Sequence, residues 1–94
     1  MRRAAYKVEG GKLIKVQLEE KDGKVEKVRI TGDFFLHPED LIEEIERSLV
    51  GKALEEHSLA SSIEALIKEK GATLLGASPR DIARCILMAS EGGC

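Results

Sequence analysis

Val28-Arg29-Ile30-Thr31-Gly32-Asp33-Phe34-Phe35-Leu36-His37-Pro38-Glu39 divides this chain into two kinds of sequence. Upstream of it, apolar residues recur every second position, the period of a half-buried strand. Downstream, they recur every three to four positions, the period of an amphipathic helix. The stretch holds the only two phenylalanines of the protein, stops a strand at Gly32, and turns towards a helix at Pro38.

Working back from Val28, Lys27 and Arg29 alternate with Val28 and Ile30, and Ile14, Val16 and Leu18 alternate with Lys15, Gln17 and Glu19. The turn between these runs is Glu20-Lys21-Asp22-Gly23-Lys24. A two-residue Asp-Gly loop would send the two apolar sets to opposite faces. A three-residue loop with Gly23 left-handed keeps them together, pairing Val16 with Val28 and Ile14 with Ile30, so a type I turn with a glycine bulge is predicted. Gly10-Gly11 marks an earlier turn, with two-residue and longer loops both open. It follows a short strand over residues 4–9 that carries Tyr6 and Val8, and residues 1–3 are expected to fray.

Working forward, Leu41, Ile42, Ile45 and Leu49 line one side of a helix over 38–50. Pro38 sits at its first position, Leu36 and Leu41 lie at staple spacing, and Gly51 serves as its stop. A polar connection over 52–57 leads to a second stripe, Leu59, Ile63, Leu66 and Ile67. Ser61 and Glu64 stand there at capping-box spacing, and Gly71 closes the helix. Residues 72–77 are apolar and short. Ser78-Pro79-Arg80-Asp81 opens a third helix through about Ser90 that buries Ile82, Ile86, Leu87 and Cys85. The expected fold is one α+β domain over residues 1–94. A three-stranded antiparallel meander is followed by three helices packed on one face, β-β-β-α-α-α, because a meander has one apolar face to cover.

Composition narrows the function. With 17 acidic against 15 basic residues the net charge is −2, which leaves no cationic excess for a general nucleic-acid binder. The charge is nevertheless uneven: residues 1–30 carry nine basic and five acidic groups, residues 31–57 two basic and eight acidic. No apolar run is long enough to span a membrane, so the expected location is the cytoplasm. Cys85, Cys94, His37 and His57 fall at no metal-ligand spacing, and the two cysteines do not form a disulfide framework.

No nucleophile and base pair, phosphate loop or dinucleotide pattern is legible. The anomaly is Phe34-Phe35. Adjacent residues leaving a strand point in opposite directions, so either both rings are drawn under the helices or one enters the core while the other faces solvent beside Asp33.

These same residues carry a resemblance. Gly11-Lys12-Leu13-Ile14, the Asp22-Gly23-Lys24 turn, Val28 to Pro38 and the helix ending at Leu49-Val50-Gly51 resemble the C-terminal accessory domain of lipoate-protein ligase. In some archaea that domain is a separate small subunit. The likeness covers residues 7–51, with Gly-Asp-Phe-Phe as its most specific block, and continues through the helices by pattern alone. It implies a catalytic subunit as partner, ATP-dependent activation of lipoate to lipoyl-adenylate, and transfer to a lysine of a lipoyl domain. It also implies that ATP, Mg and lipoate bind at the partner, with no cofactor held by this chain alone. No catalytic residue transfers to this sequence, and the small domain is implied to close over the catalytic one.

Gly32, Asp33, Phe34, Phe35 and His37, together with the basic strand region, are therefore the candidate docking residues. Two other readings remain open. An iron-sulfur scaffold or sulfur-acceptor protein shares the architecture, but the three cysteines of a scaffold are missing here. A generic interaction module would use an exposed sheet edge, at residues 4–9 or 25–30.

Overall fold

The alternation of the first third folds into an antiparallel sheet of order β1-β2-β3, made of β1 (Arg2–Lys7), β2 (Leu13–Lys21) and β3 (Lys24–Gly32). The structure, a computed structural model, describes residues 2–92. The expectations for Met1 and Cys94 lie outside them. Three helices follow, α1 (Leu41–Leu49), α2 (Glu56–Glu69) and α3 (Pro79–Ser90). Two short strands, β4 (Phe35–His37) and β5 (Thr73–Leu75), form a separate antiparallel pair that the periodicity did not announce.

Ala4, Ile14, Val16, Leu18, Val28 and Ile30 face inward and are buried. They meet Leu41, Ile45 and Leu49 of α1, Leu59 and Ile63 of α2, and Ile82, Cys85 and Ile86 of α3 in one core. α3 packs across β1 and β2, α1 against β3, and α2 against both helices. The sheet therefore keeps one face for solvent, as the meander required.

The β2–β3 register differs from the expected one. Lys21 pairs with Lys24 around a two-residue Asp22-Gly23 turn in which both residues have positive φ, 55° and 75°, the type I′ geometry. The pairing then shifts between Glu19 and Glu20, so that Glu19 faces Lys27 while Glu20 faces Val25. Glu26 is thus the extra residue. Parity did require one extra residue, but it sits in β3 and not in the loop, so Val16 pairs with Ile30 and Leu18 with Val28.

Other boundaries also move. β1 starts at Arg2, whose guanidinium donates to the Ser90 carbonyl and pairs with Glu20, so Arg2 and Arg3 belong to a strand where fraying was expected. The chain turns back by Val8, where the Gly11 N–H donates to the Val8 carbonyl at 2.8 Å over a positive-φ Gly10. Pro38 is not the first residue of α1: the helix begins at Leu41 with Asp40 at its cap, after an approach in which the Leu41 N–H donates to the Pro38 carbonyl at 3.1 Å. Leu36 and Leu41 are both buried, although not at the staple positions of that later start. α2 begins at Glu56, which puts Ser61 and Glu64 in mid-helix and removes their capping role. Its end is as expected: Gly71 has φ 61°, and the Ala72 N–H donates to the Ile67 carbonyl at 2.9 Å, a Schellman closure.

The outer edge of β3 is covered. The Val25 N–H donates to the Lys52 carbonyl at 3.0 Å, the Gly51 N–H donates to the Val25 carbonyl at 2.8 Å, and the Ile30 N–H donates to the Glu46 carboxylate at 2.7 Å. A strand of another molecule would have to displace these bonds, which removes residues 25–30 as a free edge.

Candidate functional site

At Gly32 the main chain of β3 is pressed against the start of β2. The Asp33 N–H donates to the Leu13 carbonyl at 2.9 Å. Gly32 has φ +155°, and a Cβ there would stand 2.3 Å from the Leu13 oxygen, so only glycine fits. This close approach ends β3 and redirects the chain into β4.

β4 then lies against β5 in the register Phe35↔Leu75, Leu36↔Leu74 and His37↔Thr73. Strand alternation sends Leu36 into the core and leaves Phe35 and His37 on the outside, where their rings stack with centroids 6.3 Å apart. The cross-strand partner of Phe35 is Leu75, and the two are 51% and 58% exposed. Phe34 goes the other way, half-buried and packed against the core. The two rings therefore separate as strand geometry allows, and the arrangement with both under the helices is not the one adopted. Ile30, Thr31, Gly32, Phe35, Glu39 and Ile42 are among the residues bounding a shallow concavity of about 300 Å³ beside the Phe35 ring.

All five candidate residues thus meet at one corner. Asp33 is exposed there and makes no ion pair among the described residues. Sequence reasoning missed Leu75. Its segment reads as apolar, but three residues are too few to show a period, and their partner strand lies 38 positions upstream. Gly76, just beyond, is held near the first hairpin, since the Lys12 N–H donates to its carbonyl at 3.4 Å.

The corner presents an exposed apolar surface made by Phe35 and Leu75, with the His37 ring stacked beside them. Among the described residues no polar or charged side chain is buried, and Cys85 is the one buried residue with a titratable group. Nor do three His, Cys, Asp or Glu side chains among them come together where a metal could sit. Cys85 is fully buried in α3, its thiol directed at the Ala4 and Ile14 carbonyls at 3.8 and 3.6 Å, so sulfur chemistry there has no access. No helix among the described residues is long and apolar enough to cross a membrane.

Comparison with known proteins agrees with this layout. The family described as bacterial lipoate protein ligase C-terminus matches residues 3–86. Among solved structures, the chain is similar to one from the structural analysis of an archaeal lipoylation system, a bi-partite lipoate protein ligase and its E2 lipoyl domain from Thermoplasma acidophilum. The identity is 28%, the TM-score 0.75, and the match covers 92% of this chain and 94% of that one. No curated protein matches.

Proposed function

The chain belongs to the family of the bacterial lipoate protein ligase C-terminus, and from that premise we propose that it is the non-catalytic small subunit of a lipoate-protein ligase. It docks on the catalytic subunit and supports ATP-dependent activation of lipoate to lipoyl-adenylate, before the lipoyl group passes to a lysine of a lipoyl domain. ATP, Mg and lipoate bind at the catalytic subunit, and the reaction belongs to the cytoplasm. This chain contributes closure, shielding the reactive mixed anhydride from water as a lid does.

The observation that carries this reading is the exposed Phe35–Leu75 pair, braced by the stacked His37 ring. Aromatic anchors of this kind concentrate binding energy at protein interfaces. Fully burying each such side chain is worth roughly 1.5 to 3 kcal/mol.

Mixing the chain with its catalytic subunit tests the proposal. Phe35→Ala and Leu75→Ala are each expected to raise the Kd at least about tenfold, near 1.4 kcal/mol, and to slow pyrophosphate release from ATP and lipoate. Asp33→Ala, at the same corner, is expected to act in the same direction. Folded variants that bind and support adenylation like the wild type would sink the assignment.

A further inference from the structure

We infer that the solvated face of the β1-β2-β3 sheet is an electrostatic docking surface for an acidic face of the catalytic subunit, continuous with the Phe35–Leu75 corner. This deepens the docking reading above and rests on it.

The register sets out the face row by row. Arg3, Gln17 and Arg29 lie side by side across the three strands, and Ala5, Lys15 and Thr31 form the next row. Lys7 lies beside Leu13, and Lys27 lies opposite Glu19. Arg3, Lys7, Lys15, Lys27 and Arg29 are all exposed, and Glu19 is the one acid among these positions. None of these five cations forms an ion pair among the described residues. The pairs that do occur are Arg2–Glu20, Lys68–Glu64, Lys70–Glu44, and Arg80 and Arg84 with Glu56. A protein of net charge −2 thus presents a sheet face on which these five cations outnumber its acids, Glu19 and the exposed bulge residue Glu26, both at the Lys27 end.

Shape and position point to the same partner. Ala5 and Thr31 are short beside Arg3, Lys15 and Arg29, and an open depression of about 500 Å³ is lined by these residues and Gln17. Forked guanidiniums bind carboxylates in pairs. Thr31 lines both this depression and the concavity beside Phe35, so a partner seated on the apolar corner extends directly onto the cationic rows. The chemistry favours an acidic protein over a nucleic acid. Single-stranded nucleic acids are held on sheet faces by stacking on aromatic rings. This face carries none, because Tyr6 points inward and Phe34, Phe35 and His37 lie beyond the strand ends.

Stopped-flow association with the catalytic subunit over a range of salt separates the two parts of the surface. The combined charge reversal Arg3→Glu, Lys15→Glu and Arg29→Glu, all at exposed positions, is checked for folding by circular dichroism. It is expected to lower kon at least about tenfold at low salt, to flatten the salt dependence, and to leave koff nearly unchanged. Phe35→Ala is expected to do the reverse, raising koff while keeping the wild-type kon and salt slope. A wild-type complex whose association ignores both salt and the charge reversal overturns this inference and spares the docking reading. Absence of any wild-type complex overturns both. A single-stranded RNA retained by the wild type and lost by the reversed variant, with kon for the catalytic subunit unchanged, overturns it in favour of a nucleic-acid ligand.

Discussion

Gly32 shows how far one residue can shape the corner around Phe35. Its lack of a side chain lets the end of β3 close on the Leu13 carbonyl, and that contact aims the following chain at β5. Gly32→Ala would place a methyl group inside that contact at a positive φ, and is expected to cost about 2 to 4 kcal/mol in urea unfolding. Phe35→Ala, by contrast, should shift stability by no more than about 0.5 kcal/mol, since more than half of that residue is already in water. A glycine variant as stable as the wild type would show that the close approach is not required. Both residues stood out in the sequence, Gly32 as a strand stop and Phe35 as half of the sole aromatic pair. Which of the two rings stays outside was not legible. That choice follows from the chain's direction after Gly32, and a backbone turn of this kind depends on contact with β2.

Caps divide the helices by how clearly their sequences announced them. At α3 the Asp81 N–H donates to the Ser78 hydroxyl oxygen at 3.2 Å, while the Ser78 N–H donates to the Asp81 carboxylate at 2.9 Å, with Pro79 at the first position. Every partner in this box is within three residues, so local sequence suffices. Ser78→Ala is expected to lose about 1 kcal/mol, lowering Tm by about 4 to 8 °C. Ser61→Ala, at the false capping box of α2, should be neutral or slightly stabilising, because alanine is the better mid-helix residue. A comparable loss at both serines would contradict the two assignments. The β2–β3 hairpin shows the opposite case: alternation demanded one extra residue, but nothing local distinguished a longer loop from a bulge at Glu26. The bulge follows from pairing along the whole length of both strands.

The molecule as a unit divides labour between its surfaces. The helices and the inner sheet face are spent on packing, and the Phe35 corner and the outer sheet face are left exposed. With lipoate, ATP and Mg but no catalytic subunit, the purified chain is accordingly expected to release no pyrophosphate above the uncatalysed background. Turnover by the chain alone would end the accessory reading. The three strands of the meander and the three helices in their order, the apolar faces of those six elements and the third helix's cap could all be read from the linear chain, because periodicity and capping act over a few neighbours. The β4–β5 pair, the cover on the β3 edge and the meeting of Phe35 with Leu75 required the folded chain. Each joins segments far apart in sequence, and such contacts are selected by the packing of the core and the satisfaction of main-chain hydrogen bonds, which no short stretch encodes.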